Sequence, residues 1–171
     1  WMGARRVVFH PGAQGKLQRA QAVENITTLL PEIMKKLEAQ ELLQGVTLCP
    51  ETMGKLGQIG DVDEILQICR VDERLIPCVD FGHLYARRLG QFGDRESYET
   101  VLNALETALG AQRAKALHIH FSRIEFTKGG EKRHWNYEDT QFGPEFDPLA
   151  KLLAERDYHA VVICESAGHM A

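Results

Sequence analysis

Short β-rich runs alternate with longer helical patterns along the whole chain, and this alternation constrains the fold more than any other feature. Five such runs lie at residues 5–9, 46–49, 75–79, 116–121 and 160–164. Strands that are separated by helices of this length form a parallel sheet with right-handed crossover connections. The sequence therefore predicts an α/β fold with about five parallel strands, arranged either as an open doubly wound sheet or as a barrel.

The first two helices are predicted from apolar spacing and from capping residues. Between Ala20 and Leu37, apolar residues recur at three- and four-residue steps, which is the stripe of an amphipathic helix. Pro31 is expected to kink or restart this helix, because proline lacks the N–H that a helix interior uses. A second helix is predicted at about 62–69, with Asp61 placed to cap its N-terminus.

Two more helices follow later in the chain. One is predicted from about 97 to 109 and ends at Gly110, a common helix terminator. The other covers about 147–156, where Pro148 fits the first turn. The segment 127–146, rich in glycine, charge and aromatic residues, is interpreted as a long loop, and long loops at the ends of parallel strands commonly carry function.

The size and composition of the chain limit its class. Its 171 residues and 44% hydrophobic content predict one domain over residues 1–171. No apolar run approaches the roughly 20 residues that span a bilayer, and the first residues lack the apolar stretch of a signal peptide. We therefore expect a cytoplasmic protein with no membrane partner. Its four cysteines stand singly, which argues against a disulfide framework and a structural zinc site.

The net charge of −4 argues against a protein that binds nucleic acid mainly through its overall field. The charge is unevenly spread, however, because the segment 113–133 holds six basic residues against two acidic ones. Such a segment is either a solvated surface or a surface that faces phosphate groups.

Residues able to bind a metal ion stand at the end of each apolar run. They are His10, Glu51, Asp80, His120 and Glu165. In a parallel barrel the C-terminal ends of all strands converge on one mouth, although they are far apart in the sequence. A single such residue would be read as a helix cap, but the repetition at five strand ends predicts a metal site.

Two further pairs extend this pattern. His83 follows Asp80 by three residues, and His134 follows Glu131 by three residues. Mixed oxygen and nitrogen ligands suit zinc, manganese or iron better than calcium. His118 shares a strand face with His120 but lies further from the mouth, so His120 is the predicted ligand and His118 is assigned a supporting role.

Taken together, these residues resemble endonuclease IV, a zinc-dependent apurinic/apyrimidinic endonuclease of the xylose isomerase-like barrels. The resemblance runs in order through nearly the whole chain, in the motifs Phe9-His10-Pro11-Gly12, Glu51-Thr52, Cys78-Val79-Asp80-Phe81-Gly82-His83, His120-Phe121-Ser122 and Glu165. It implies a partial (β/α) TIM barrel and hydrolysis of the phosphodiester 5′ to an abasic sugar in DNA.

The resemblance also implies roles for individual residues. Two or three zinc ions, with manganese as a possible substitute, would be held by His10, Glu51, Asp80, His83, His120, Glu131, His134 and Glu165. Glu51 and Glu165 are the predicted catalytic residues within this set. The basic residues expected to hold the DNA strand are Arg123, Lys132 and Arg133.

Three departures from the endonuclease IV pattern affect these expectations. The third-metal loop of that family has an Asp and a His two residues apart, whereas Glu131 and His134 are three apart. An earlier histidine ligand of the family has no counterpart here. A complete barrel has eight strands and about 250 residues, so we expect the C-terminal two-thirds of a barrel, with open sheet edges and no nuclease activity of its own.

Two other functions fit the same residues. A sugar isomerase or epimerase of the same barrel superfamily would use Glu51, Asp80, His120 and Glu165 to hold one metal ion. It would leave unexplained His10, His83 and the pair Glu131 and His134. A barrel without bound metal would instead bind a partner or lesion-bearing DNA without cutting it. Metal content distinguishes the three hypotheses.

Overall fold

A computed structural model describes residues 3–168 of the chain. Its strands are β1 (Arg6–Phe9), β2 (Thr47–Pro50), β3 (Cys78–Asp80), β4 (His118–Phe121), β5 (Arg123–Thr127), β6 (Gly130–Trp135) and β7 (Val161–Cys164). Its helices are α1 (Arg19–Ala39), α2 (Val62–Cys69), α3 (Phe81–Arg87), α4 (Arg95–Leu109), α5 (Ala111–Lys115) and α6 (Asp147–Glu155).

Five parallel strands follow one another in the order β1-β2-β3-β4-β7. β1 pairs with β2, and β4 pairs with both β3 and β7. β2 meets β3 through a parallel bridge between Glu51 and Cys78 and through the Thr52 N–H, which donates to the Cys78 carbonyl at 3.0 Å. A strand order that never reverses is that of a barrel wall and not of a doubly wound sheet.

The barrel wall is open within residues 3–168. No strand pairing there joins β1 to β7, so the five parallel strands form an arc. The outer strand β7 is exposed along its length, as its apolar residues Val161, Val162 and Ile163 show. The predicted partial (β/α) barrel is therefore confirmed.

The helices cover the outside of this arc. α1 packs on α2, α2 on α4, and α4 on α6, in the same order as the strands. α1 continues through Pro31, so of the two expected outcomes the restart does not occur; Leu30 and Met34 on either side of Pro31 are buried in the core and hold the helix together. α4 begins two residues earlier than predicted, since the Asp94 carboxylate caps it by accepting from the Ser97 N–H at 2.9 Å.

Side chains alternate between the two faces of the parallel strands. Val79, Leu117 and Ile119 point outward and pack in the core beneath α4 and α6. A second core lies beneath α1 and α2 and includes Ile65 and Ile68. Because successive residues of a strand face opposite sides, the residues between the outward ones point into the barrel, and these are the residues that could bind metal.

The segment 127–146 was wrongly interpreted as one long loop. It contains β6, which pairs antiparallel with β5 to form a hairpin that stands outside the parallel wall. The short helices α3 and α5 also have no counterpart among the sequence predictions, because each is too short to show a hydrophobic period. In residues 3–168, helices that could cross a membrane by length and hydropathy are absent.

Replacing Leu102 by alanine tests the core. Leu102 is fully buried between α4 and α6, and the lost contacts and the cavity are expected to lower the free energy of unfolding by about 2–5 kcal/mol. Leu29→Ala, on the exposed face of α1, is the matched control and should change it by less than about 0.5 kcal/mol. Urea unfolding measures both, and equal effects would contradict this packing.

The Glu64 carboxylate, which belongs to the capping box at the N-terminus of α2, makes the free energy of unfolding depend on pH. Burial alone would raise the pKa of the Glu64 carboxyl, but hydrogen bonds from the Arg19 guanidinium and from the N–H groups of Gly60 and Asp61 lower it below its ordinary 4.5. A lowered pKa means that the stabilisation is fully present above pH 4.5 and is lost as the pH falls through the lower, folded value.

Glu64→Gln should therefore reduce the free energy of unfolding by about 1.5–3 kcal/mol at pH 7, because it removes charged hydrogen bonds. The difference from the wild type should shrink steadily below pH 4.5 in urea titrations. Glu155→Gln, which breaks an exposed ion pair with Arg95, is the control and should have little effect at any pH. A Glu64 effect that is independent of pH would exclude this explanation.

Candidate metal centre

Four of the predicted ligands meet at the mouth of the barrel. Glu51, Asp80, His120 and Glu165 each place a donor atom within 4.8 Å of the others, and we call them the first cluster. Each comes from a different strand end, as parallel strands require. His10, at the end of β1, reaches the edge of this cluster, although 59% of its side chain is exposed.

Glu51 lies at the centre of the first cluster. Its side chain is buried, and its two carboxylate oxygens face different partners. Oε2 lies 3.0 Å from His10 Nε2, whereas Oε1 lies 2.8 Å from His120 Nδ1. The Glu51 N–H donates to the Phe9 carbonyl at 3.0 Å, so the backbone beyond β2 is held beside β1. Glu51 thus presents one carboxylate oxygen to each of two histidines of the mouth.

Asp80 ends β3 and caps α3. Its Oδ1 accepts from the His83 N–H at 2.7 Å, whereas its buried Oδ2 has no hydrogen-bond partner among the described residues. Burial raises the pKa of the Asp80 carboxyl, because the charged form loses its hydration. An orphaned buried carboxylate oxygen costs free energy, and a bound cation would satisfy it. Asp80 therefore fits a metal ligand.

His120 is surrounded by acceptors. Its Nδ1 lies 2.8 Å from Glu51 Oε1 and 3.2 Å from Glu165 Oε1. Burial alone would lower the pKa of the imidazole, but hydrogen bonds with Cys78, Glu165 and Glu51 raise it to about 12. The carboxylates of the first cluster thus attract positive charge strongly, which is the electrostatic requirement of a site for a divalent cation.

A second cluster lies beside the first and consists of His83, Glu131 and His134. His83 Nε2 is 3.4 Å from Glu131 Oε2, and the two imidazole rings are 5.6 Å apart. His83 Nδ1 contacts the Thr52 carbonyl at 2.9 Å and lies 3.4 Å from Asp80 Oδ2. A backbone acceptor at Nδ1 leaves Nε2 free for a metal, which is a common arrangement of histidine ligands.

A β-bulge explains how residues three apart can share one site. In a regular strand Glu131 and His134 would point to opposite faces. The register of the hairpin passes from Glu125↔Arg133 to Phe126↔Glu131, so Lys132 is an extra residue. This insertion brings Glu131 onto the face of His134. The spacing that departs from the endonuclease IV pattern is therefore compatible with a shared ligand site.

Three supporting residues were not predicted from the sequence to act at the site. The Thr52 hydroxyl bonds with the backbone of Asp80, accepting from its N–H at 2.9 Å. The buried Ser122 hydroxyl lies 2.7 Å from His134 Nδ1. Cys78 is buried, and its thiol lies within 4.8 Å of a ring nitrogen of His120. Thr52 directly follows the predicted ligand Glu51, and Ser122 directly follows the last residue of β4. These positions beside the ligands could have indicated a supporting role from the sequence.

His118 lies one layer below His120, as its position on β4 predicts. The two rings are 5.1 Å apart, and the Arg6 guanidinium approaches His118 Nδ1 at 3.5 Å. Burial lowers the pKa of the His118 imidazole to about 4, and the positive charges of His120 and Arg6 add to this effect. His118 also belongs to a smaller group of possible ligands with Cys78 and His120.

The three basic residues proposed to hold DNA occupy different environments. Arg123 is buried, and its guanidinium donates to the carbonyls of Tyr137 and Phe142 and to the Glu145 carboxylate. The guanidinium N–H groups of Arg123 already donate to acceptors inside the protein, so Arg123 does not form part of an exposed surface that could face DNA. The side chains of Lys132 and Arg133 are 53% and 60% exposed on the hairpin, although both also contact Glu125.

The residues at the mouth fit divalent metal ions. They combine carboxylate oxygens and imidazole nitrogens, which suit zinc, manganese or iron. The first cluster includes the Asp80 oxygen that has no hydrogen-bond partner among the described residues. The second cluster adjoins the first through His83, whose Nδ1 lies 3.7 Å from Glu51 Oε1. The side chains therefore form two adjoining candidate sites.

Comparison with known proteins places the chain among barrels of this kind. A family profile described as a xylose isomerase-like TIM barrel matches residues 1–169. An uncharacterized protein of Methanocaldococcus jannaschii is 40% identical over 162 residues, which are 95% of this chain and 58% of that protein. A probable endonuclease 4 of Mycoplasma pneumoniae is 26% identical over 160 residues, 90% of this chain and 51% of that protein. The chain thus spans about half the length of these relatives.

Solved structures with the same fold share little sequence with this chain. The crystal structure of the IolI protein with a bound zinc atom matches 94% of this chain and 52% of its own, with a TM-score of 0.61 and 16% identity. D-psicose 3-epimerase from Clostridium cellulolyticum H10 matches 92% of this chain and 46% of its own, with a TM-score of 0.56 and 16% identity. At these identities the likeness establishes the fold alone.

Asp80→Asn tests the first cluster as a metal site. Zinc at 100 times its dissociation constant should stabilise the wild type by about 2.7 kcal/mol. The variant should lose most of this gain, yet be at least as stable as the wild type without metal, because it removes the desolvation cost of a buried carboxylate whose Oδ2 has no hydrogen-bond partner in residues 3–168. Thermal unfolding with zinc and with chelator measures both effects.

Asp157→Asn is the matched control, since Asp157 is exposed and asparagine tolerates its positive φ of 56°. It should leave the zinc-dependent shift unchanged. An Asp80→Asn protein that zinc stabilises as much as the wild type would rule out Asp80 as a ligand.

Proposed function

The chain belongs to the xylose isomerase-like TIM barrel family, and from that premise we propose that it carries the metal site of a DNA-repair hydrolase. The proposed reaction is metal-dependent cleavage of a phosphodiester bond at abasic sites in DNA. The probable endonuclease 4 of Mycoplasma pneumoniae and the endonuclease IV motifs along the chain support this reaction class. Zinc is the proposed metal, with manganese as a substitute.

The second cluster is the observation that carries this proposal. A sugar isomerase or epimerase with one metal ion needs only the four residues of the first cluster. It has no use for a neighbouring site built from His83, Glu131 and His134, whose side chains converge through a β-bulge and a buried serine. Two adjoining sites suit phosphodiester hydrolysis, in which charge develops on both the attacking and the leaving oxygen.

Bound divalent ions would supply Lewis-acid stabilisation of the phosphoryl oxygens and would lower the pKa of a water molecule. The chain's own residues hold and orient this site. Glu51 offers oxygens towards both His10 and His120, and Glu165 completes the first cluster from the far strand. The Thr52 hydroxyl fixes the backbone of Asp80 by accepting from its N–H and donating to its carbonyl, and Ser122 fixes the ring of His134. Such fixed ligands keep the separation between sites constant during reaction.

The hairpin supplies a surface for the DNA backbone. Lys132 and Arg133 are exposed on the hairpin face that carries Glu125, opposite the face of Glu131 and His134. Together they exceed the single charge of the Glu125 carboxylate that both contact. Contacts between basic side chains and phosphates position a duplex without reading its sequence. That property suits a lesion that lacks a base, and the abasic nucleotide would turn out of the duplex towards the mouth.

A sugar isomerase or epimerase is the alternative function. The four residues of the first cluster suffice for one metal ion, and the fold is shared with a D-psicose 3-epimerase. The two proposals differ in the number of ions and in the need for His83.

Metal content is the first measurement, because it reports on the ligands without requiring turnover. The nuclease proposal expects at least two zinc or manganese ions per chain after purification without chelator, and one fewer in His83→Ala. His159→Ala, which removes an exposed histidine far from the mouth, is the matched control and should keep the full metal content. Mass spectrometry of the metals gives the ratio.

Activity is then measured on a duplex with one abasic site and on a ketose. Where the wild type cleaves the duplex, His83→Ala should lower the rate by about 10- to 100-fold or more, the range known for disturbed metal sites. A single ion that is insensitive to His83, together with ketose epimerisation, would replace the nuclease by the sugar enzyme. A wild-type chain that binds no metal would contradict both the nuclease and the sugar enzyme.

A further inference from the structure

The loop between β2 and α2, residues 52–61, connects several parts of the mouth, and we call it the bridging loop. Its Leu56 N–H donates to the Gly129 carbonyl at 3.0 Å, and its Gly54 carbonyl accepts from the Glu131 N–H at 3.1 Å. On its other side, the Gly57 carbonyl accepts from the Gln14 N–H at 2.9 Å. The bridging loop thus joins the hairpin, with its second-cluster ligands, to the segment that follows His10.

The contact between the bridging loop and the hairpin is unusually close. A Cβ added at Gly54 would lie 2.6 Å from the Cβ of Glu131, and one added at Gly130 would lie 2.1 Å from the Gly54 carbonyl oxygen. Only glycine permits such an approach of two backbones. A displacement of the loop would therefore move Glu131 with it.

The buried guanidinium of Arg87 donates hydrogen bonds to several backbone carbonyls of the bridging loop. Arg87 Nη1 donates to the carbonyls of Met53 at 3.2 Å, Lys55 at 3.0 Å and Gln58 at 3.4 Å. Its Nε contacts the Asp61 carboxylate at 3.4 Å. Burying an arginine is costly unless its donors are satisfied, and here the carbonyls of the bridging loop satisfy them. Arg87 and the bridging loop are therefore packed as one unit.

Arg87 also stands one turn after His83 on α3. The same short helix thus carries His83, one of the three candidate ligands of the second cluster, and the side chain that holds the loop beside another of them, Glu131. His83 also contacts the bridging loop directly, because its Nδ1 lies 2.9 Å from the Thr52 carbonyl. The loop thus contacts both His83 and Glu131, whose Nε2 and Oε2 atoms lie 3.4 Å apart, and Arg87 holds the residue between these two contacts through the Met53 carbonyl.

We propose that Arg87 is a positioning residue of the second cluster. Through the bridging loop, it sets the separation between His83 and Glu131 and so determines whether an ion is held there. The proposal about the ion rests on the proposed function, but the hold of Arg87 on the loop does not. Two readouts are therefore needed, one with zinc and one without any metal.

Arg113 provides a control of the same chemistry. Its guanidinium also donates to three backbone carbonyls, those of Cys69, Asp72 and Leu75, but these lie before β3, at the opposite end of the barrel from the mouth. Arg113→Met removes a comparable set of hydrogen bonds without touching the bridging loop. It separates a general loss of stability from a local effect on the mouth.

The first readout is amide hydrogen exchange of the metal-free chain. Arg87→Met should speed exchange at the Leu56 and Glu131 N–H groups at least about 10-fold relative to Arg113→Met, because local opening follows the loss of local contacts. Arg87→Lys, which keeps the charge but not the planar fork, should give an intermediate rate and covers the case in which the methionine variant fails to fold.

The second readout is the number of zinc ions bound per chain, with zinc alone as the probe. Arg87→Met should lose one ion and keep the other, Arg87→Lys should retain part of the second site, and Arg113→Met should match the wild type. Unchanged exchange and unchanged zinc content in both Arg87 variants would overturn the proposal, as would equal effects of Arg87→Met and Arg113→Met.

The two proposals fail in different ways. A wild type that binds no second ion, with Arg87-dependent exchange at Leu56 and Glu131, would refute the proposed two-site hydrolase while the hold of Arg87 on the bridging loop remains. A second ion that is bound equally well without Arg87 would refute the positioning role and leave the hydrolase proposal intact.

Discussion

The burial of carboxylates at the barrel mouth is the constraint on which the rest of the site depends. Glu51 and Asp80 are removed from water, and Asp80 keeps an oxygen without a hydrogen-bond partner in the described chain. Such groups are costly unless positive charge or donors approach them. His83, His10 and His120 surround them, and the raised pKa of His120 reflects the same negative potential. The mouth is therefore arranged for a cation.

Two layers of support hold these groups in place. The parallel strands bring the first cluster together directly, since each ligand lies at or within one residue of the C-terminal end of a strand. The second cluster depends on less regular structure: a capped short helix, a bulged hairpin and the bridging loop that presses against it. Elements with fewer backbone ladder bonds move more easily. The second cluster is thus the part of the mouth whose geometry needs additional side chains to maintain it.

Several parts of the fold were predictable from the sequence. The apolar runs and their helical spacers predicted the five parallel strands, and Asp61, Gly110 and Pro148 marked helix ends correctly. The hairpin was missed, because β6 is mostly charged and only partly buried and so lacks the apolar alternation of a buried strand. The placement of Arg123 inside the protein was missed for a related reason, since its carbonyl acceptors lie in an irregular segment about 14–19 residues further on.

The sequence by itself determined which residues stand at strand ends, because side chains alternate with a period of two and parallel strands end on one side. That suffices for the first cluster, from Glu51 to Glu165. Only the tertiary structure decided that Glu131 and His134 share a face and that Asp80 keeps an oxygen without a hydrogen-bond partner among the described residues. It also decided that Arg87 donates hydrogen bonds to the bridging loop. These features arise from a register shift and from contacts between distant backbone segments, and neither has a periodic signal along the chain.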